Sequence, residues 1–284
     1  MTALVAVVGS ANLDIVLSVA QRPAAGETVM GTAFVETTGG KGANQALAAA
    51  RIGPTTFIGS VGPDAAGRSI EEALFSAGVR VDHLQHANVP TGRAYVTLTA
   101  DGENSIIVMA LANSALNVES VLAALEASGP TLVLTQFEVP EAVTAAVVRW
   151  CRSRGARLVL NPSPVKPGAK LDAANADPLI VNQIEARAIL GSDLRSESDL
   201  ALALAEQFAS VILTAGSRGA FVARGSTVEH VGAENVAAVD NTGAGDSFAG
   251  TLSAHLAQGE GLLAAARRAS AEAARIIQLH RSER

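Results

Sequence analysis

The chain has 284 residues, 49% of them hydrophobic and 17% charged, and a net charge of −6. That length supports a large buried core, while the acidic balance gives no basic footprint for a nucleic-acid backbone. A single cysteine, Cys151, excludes an internal disulfide and reads as a core thiol in a reducing compartment.

The first apolar run stops within six residues and has no basic flank, too short for a signal or a membrane span. A cytoplasmic protein with no membrane partner is expected. Residues 4–8 form a continuous apolar run of strand length, as a buried parallel strand requires. Gly9-Ser10-Ala11-Asn12-Leu13-Asp14 follows at its carboxyl end, the edge where open α/β sheets bind ligands. Asn12 and Asp14 therefore read either as turn residues or as hydrogen-bonding partners of a polyol.

Residues 15–37 break into short alternating segments, 15–19 and 28–35, separated by Pro23 and Gly26. A second pair, 93–99 and 105–109, is joined through Asp101-Gly102, a strong hairpin signal. These strands do not alternate with helices. A small sheet standing apart from the α/β body is predicted, as a lid or a dimer surface.

Between them, residues 38–53 form a glycine loop running into an alanine-rich helix that Gly53 can cap. Its glycines, Gly39, Gly40 and Gly42, let backbone approach a ligand, and Lys41 and Asn44 share one side of the first turn, suited to hydroxyl groups. The plain alternative is a mobile glycine loop. Strand and helix then alternate, with strands over 55–58, 131–134 and 157–160 and helices over 69–77, 118–127 and 141–152. Glu138 follows a strand at the ligand edge and is read as a substrate contact. Residues 162–167 form a proline-rich loop.

A buried strand over 179–181 leads into Asn182 and Glu185, which share one helix face. They read equally as a capping box or as an amide and a carboxylate ordering magnesium waters around phosphates. Residues 211–214 enter the turn Ala215-Gly216-Ser217-Arg218-Gly219, either a hairpin or the floor of an adenine pocket.

The organising stretch is 236–250, read as strand, loop and helix N-terminus, with the helix running from Ala244 through Gln258. Gly243 and Gly245 leave backbone N–H groups facing outward, and the helix start adds positive charge, so the turn makes an anion nest. Asp246, in the first turn, is placed to take a proton from a hydroxyl beside that anion. A base beside an anion hole suggests phosphoryl transfer, against the plain alternative of loop and capping chemistry. Phe248 stands where a dinucleotide fingerprint needs its third glycine, and no P-loop motif occurs.

The glycine–lysine segment 39–44 and the segment Asp240-Asn241-Thr242-Gly243-Ala244-Gly245-Asp246 together resemble the two signatures of the PfkB carbohydrate kinases. Segments 9–14, 23–29 and 214–219 resemble the ribokinase branch of that family, and the likeness runs from about residue 4 to residue 275. It implies a ribokinase-like three-layer α/β/α fold, a single domain over 1–284, with a mostly parallel central sheet and lid strands from about 15–37 and 92–110. It implies ATP-dependent phosphorylation of a primary sugar hydroxyl, D-ribose first, with deoxyribose, a nucleoside or another sugar as rival acceptors and a non-catalytic sensor as the rival class.

Carried over by position, Asn12, Asp14, Gly40, Lys41, Gly42, Asn44 and Glu138 would hold the sugar. Asn182, Thr214, Gly216, Ser217, Arg218 and Gly219 would line the ATP site, and Glu185 would hold Mg2+ through water. Gly243, Ala244 and Gly245 would form the anion hole, with Asp246 as the base. The resemblance also implies a K+ ion between the loop of Asp240 and Thr242 and a C-terminal loop. The sequence ends at Ile276 to Arg284 without the glycine-containing loop and serine of that pattern, so an incomplete K+ site is expected. A homodimer through the lid sheet completes the expectations.

Overall fold

The computed structural model describes residues 4–99, 101, 104–165, 171–192 and 196–279. In chain order, β1 (Val5–Val8), β2 (Asn12–Val19) and β3 (Gly31–Gly39) precede α1 (Lys41–Ala50). β4 (Thr55–Ile58) and β5 (Ser60–Val61) are followed by α2 (Ala65–Ser76), β6 (Val79–Arg80), β7 (Gln85–His86), β8 (Gly92–Thr99) and β9 (Asn104–Met109). Next come α3 (Val118–Ser128), β10 (Leu132–Gln136), α4 (Glu141–Arg154), β11 (Arg157–Asn161), β12 (Ala176–Asn182), α5 (Gln183–Leu190) and α6 (Glu197–Ala205). β13 (Val211–Thr214), β14 (Ala220–Arg224), β15 (Thr227–Val231), α7 (Ala244–Ala257) and α8 (Leu262–Ile276) complete the described chain.

Nine strands form the central sheet in the order β15-β14-β13-β12-β11-β10-β1-β4-β6, parallel except for the β13-β14-β15 edge. Strands buried on both faces need apolar residues at every position, and alternate residues feed opposite layers. Ala6, Val8, Leu158, Leu160, Leu179 and Val181 enter the core under α3 to α6. Val5, Val7, Val159 and Ile180 enter the other core, with α1, α2, α7 and α8. This is the predicted three-layer arrangement. Cys151 is fully buried in the first core, and burial pushes its thiol up to about 12, so it stays a neutral packing group.

A separate sheet has the order β3-β2-β8-β9. Both hairpin pairs are antiparallel as predicted, but β2 and β8 pair in parallel, Asn12 opposite Gly92 through Val19 opposite Thr99. The sheet is therefore mixed. Asp64 ties its root to the body. It caps α2 through Gly67 N (2.9 Å) and accepts from Thr91 N (3.0 Å) just before β8.

Four expectations are corrected. No strand forms over 236–239; the extended chain is instead held to the end of α8, Val239 N and Asp240 N both donating to the Ile277 carbonyl (2.8 and 3.1 Å). The helix expected at 69 starts at Ala65, because Asp64 supplies a cap. Asn12 and Asp14 lie in β2 and not in a turn, and the strand expected from 28 starts at Gly31. The hairpin turn residues 100, 102 and 103, and residues 166–170, which include the end of the proline-rich loop, lie outside the described residues.

Candidate active site

The glycine loop carries three glycines with separate duties. Gly39 lies under Asp14, and a Cβ there would sit 2.2 Å from its carboxylate. Gly40 turns the chain into α1 at φ 86, a left-handed conformation that only glycine adopts freely. Gly42 packs α1 onto the end of β1, where a Cβ would meet Gly9 C and Ser10 N at 2.6 Å. Closeness at this corner brings the start of α1 to the ligand edge of the sheet.

There Glu138 Oε2 accepts from Ser10 Oγ (2.6 Å) and from Lys41 N (3.0 Å). Burial raises the Glu138 carboxyl, the Ser10 hydrogen bond and the Lys41 charge only partly opposing it. For the Lys41 ammonium, burial is the largest influence and acts downward, but the charges of Asp246, Glu138 and Glu185 together outweigh it and the net shift is upward. Lys41 thus stays cationic between carboxylates of three different elements.

Asp246 is buried at the first turn of α7. Its Oδ2 accepts from Asn44 Nδ2 (3.2 Å) and its Oδ1 from Gln45 Nε2 (3.0 Å), so α1 holds both oxygens. Gly243 takes φ 77 just before the helix, and the N–H groups of Gly245 and Asp246 stand at the end where a helix offers no carbonyl of its own. The nest and the carboxylate share one helix start.

On the lid side, Asn12 Oδ1 accepts from Asn113 Nδ2 (2.8 Å). Asn113 also bonds both backbone groups of Ala11, at 2.9 Å to N and 3.2 Å to O. Asn12 and Asp14 are buried at the root of the lid, facing the loop that carries Lys41. The predicted sugar residues are therefore gathered at one place.

The predicted nucleotide residues lie along the same sheet edge, further toward β13. Asn182 and Glu185 form the capping box, Asn182 Oδ1 accepting from Glu185 N and Glu185 Oε2 from Asn182 N, each at 2.9 Å. Thr214 ends β13, Gly216 to Arg218 make a single 3-10 turn that contains Ser217, and Arg218 pairs with Glu197. Gly219, at φ 86, approaches β15 so closely that a Cβ would lie 2.0 Å from Val231 O. Beside this turn a cleft of about 270 Å³ opens between β15 and α8, lined by His230, Val231, Gly232, Glu234, Arg267 and Ser270. His230 joins cleft and turn, its Nε2 lying 2.7 Å from Arg218 O.

Among the described residues no group of three or more His, Cys, Asp or Glu is placed to hold a metal ion. In the loop before α7, Thr242 N donates to Asp240 Oδ1 (2.8 Å), and residues 280–284, on which the expectation of an incomplete K+ site turns, lie outside the described residues. No described helix is long and apolar enough to cross a membrane.

Sequence reasoning passed over Ser10, Gln45, Asn113, Gln136 and the cleft residues of α8. Gln136 and Asn161 carry the same signal that singled out Glu138, a polar residue at the carboxyl end of a buried strand. Gln45, Asn113 and Ser270 carry none, being ordinary polar residues inside or beside helices.

The pfkB family carbohydrate kinase profile matches residues 2–283. The chain belongs to the pfkB family of carbohydrate kinases. It is an enzyme of ATP-dependent phosphoryl transfer, and its architecture is the ribokinase-like one. Among curated pfkB kinases it is 38% identical to the ribokinase of Bacillus subtilis, over 93% of this chain and 89% of that one. Among solved structures it is similar to the ribokinase of Cryptococcus neoformans var. grubii serotype A in complex with ADP, with TM-score 0.88 and 31% identity over 99% of this chain and 95% of that one. The Arabidopsis thaliana ribokinase complexed with ribose and ATP has TM-score 0.88 and 29% identity, over 98% of this chain and 94% of that one.

Proposed function

We propose that this pfkB kinase is a ribokinase, transferring the γ-phosphoryl group of ATP to the primary hydroxyl of D-ribose to give D-ribose 5-phosphate. The observation that carries the reading is the meeting, at the start of α7, of a buried carboxylate with an open helix N-terminus, opposite a cluster of polyol-binding groups. Asn12, Asp14, Gly40, Lys41, Gly42, Asn44 and Glu138 hold the sugar, with Glu138 and Asp14 accepting from hydroxyls and Lys41 and Asn44 donating. Asp246 takes the proton of the primary hydroxyl as its oxygen bonds to the γ-phosphorus and ADP leaves. The N–H groups of Gly243, Ala244 and Gly245 meet the charge on the transferring phosphoryl oxygens. Little covalent work falls to the protein; position and charge do the rest.

Asn182, Thr214 and the 216–219 turn line the nucleotide, whose base fits the cleft between β15 and α8. Magnesium is usually held by one or two carboxylates together with phosphates and waters, so the lone half-buried Glu185 suits it and a cage of three ligands is not required. Bound there, the ion would neutralise phosphate charge. Asp240 and Thr242 are the candidate contacts to a monovalent cation. The lid sheet, with its exposed apolar residues, forms a homodimer interface.

The test is ATP-dependent phosphorylation across ribose, deoxyribose, other sugars and nucleosides, for the wild type and Asp246→Asn. Ribose should be the best acceptor, and the substitution should lower kcat by about 10²- to 10⁴-fold, the usual contribution of a general base. Preference for a nucleoside sinks the ribose assignment, and binding of ATP and sugar without turnover makes the protein a sensor.

A further inference from the structure

Behind Asp246 lies a chain of amides, buried or half-buried, that the reaction described above does not use. Gln136, at the end of β10, donates from Nε2 to Gln45 Oε1 (2.6 Å). Gln45, in α1, donates from Nε2 to both Asp246 Oδ1 (3.0 Å) and Asn161 Oδ1 (3.1 Å). Asn161, at the end of β11, donates from Nδ2 to the Ile180 carbonyl of β12 (3.1 Å). Gln45 and Gln136 are fully buried.

The polarity of this chain follows by exclusion. A backbone carbonyl only accepts, so Asn161 must turn its NH2 to Ile180 and its oxygen to Gln45. Gln45 must then present its NH2 to Asn161, and its own oxygen falls to Gln136. Asp246 Oδ1 consequently faces a donor whose orientation is fixed from the sheet. The other oxygen, Oδ2, faces Asn44, one of the groups proposed to hold the sugar.

We propose that Gln45, locked by Gln136 and Asn161, is a positioning residue that fixes Asp246 Oδ1 on the sheet side, so that Oδ2, held only by the sugar-side amide of Asn44, is the atom that accepts the hydroxyl proton. The proposal rests on the reading of Asp246 as the base. In the step, the sugar O–H bond breaks, its proton goes to Oδ2, the oxygen bonds to the γ-phosphorus and the bond to ADP breaks. A seam that served only to join α1, β10, β11 and α7 would affect stability alone. A positioning role affects the turnover number and its pH dependence, and leaves sugar affinity largely intact.

The charged groups facing Asp246 are Lys41 from the start of α1 and Glu138 from the loop after β10, with Glu185 of α5 acting on Lys41. None of these is altered by substitution at 45. The experiment is steady-state kinetics across pH, with melting temperatures, for wild type, Gln45→Met, Gln45→Glu and Asp246→Asn. Gln45→Met, apolar and of similar shape, should lower kcat about 10- to 100-fold, the scale of a misplacement near 1 Å, with the ribose KM within about threefold of wild type. Gln45→Glu sets a carboxyl against Asp246 and should move the acidic limb of the kcat–pH profile up by about one pH unit or more.

A Gln45→Met enzyme that melts like wild type and keeps its kcat within about twofold overturns the proposal. If Gln45→Glu fails to fold, that comparison decides alone. The two readings fail separately. An active Asp246→Asn removes the base and the positioning role together, whereas an inactive Asp246→Asn beside a fully active Gln45→Met removes only the positioning role.

Discussion

Burial raises the Glu138 carboxyl above its ordinary range, and the hydrogen bond from Ser10 and the charge of Lys41 recover only part of the difference. A raised acid in the folded state means that the fold binds more protons than the unfolded chain in the window between the two values. The contribution of Glu138 to stability is therefore fully present below the ordinary carboxylate range and is lost as pH rises through the folded value. Above the folded value the ionised Glu138 is a net cost. Glu138→Gln keeps an oxygen to accept from Ser10 and Lys41 and removes the charge. It should raise the melting temperature at pH 7.5 by on the order of a few °C, the difference shrinking as pH is lowered past the folded value. The same change should raise the ribose KM about tenfold, the scale of one hydrogen bond to a charged group. A melting temperature that falls at pH 7.5 would show that Lys41 repays the burial of Glu138 in full. Such a site gives up stability for binding, as functional sites commonly do.

At the scale of elements, the site depends on how closely α1 and α7 approach. Gly250 is the contact: a Cβ there would lie 2.3 Å from Gln45 O and 2.7 Å from Ala48 Cβ. Ala46, Ala49 and Ala249 are fully buried in the same core, so small residues let two backbones pack and bring Asn44 and Gln45 against Asp246. Gly250→Ala should destabilise by about 1–3 kcal/mol through overpacking, offset by under 1 kcal/mol of helix propensity, and lower kcat by moving α7 outward. Calorimetry and steady-state kinetics on one sample check both; an unchanged melting temperature sinks the packing argument. The elements themselves were readable because β1, β10, β11 and β13 are built on apolar runs, β4 is β-branched and aromatic, and the glycine loops mark where α1 and α7 begin. Gly250 was not, since a glycine inside an alanine-rich helix registers locally only as a penalty. Gln136 and Asn161 stand at strand ends where a polar residue is a signal, but Gln45 gave none, and only parallel register and helix packing bring the three together. The strand expected over 236–239 shows the converse: local composition was right for extended chain, and tertiary context assigned it to the end of α8.

Among the described residues, the body has two cores and the lid sheet has none of its own. Successive residues of a strand point to opposite faces, and β9 exposes both Ile106 (54%) and Ile107 (66%). Register places Ile106 beside Val96, in one row with Val16 and Val35 across the sheet and on the face that Asp14 shares, and Ile107 beside Tyr95 on the reverse. Both faces are therefore apolar, and Phe34 and Met109 extend the patch to the two edge strands. A monomer leaves this surface in water, which solubility opposes and a symmetric partner relieves. Because Asn12 and Asp14 stand on β2 of the same sheet, the proposed dimer would also fix the proposed sugar contacts and so couple assembly to affinity. The wild type should therefore have about twice the 28.8 kDa chain mass by light scattering. The double substitution Ile106→Lys with Ile107→Lys charges both faces, whichever one the partner covers, and should give a monomer. Its ribose KM should rise by about tenfold while its melting temperature, set by the two cores of the body, changes little. A wild-type monomer at working concentration removes the interface, and a monomeric variant with unchanged KM keeps the interface but breaks its link to the site.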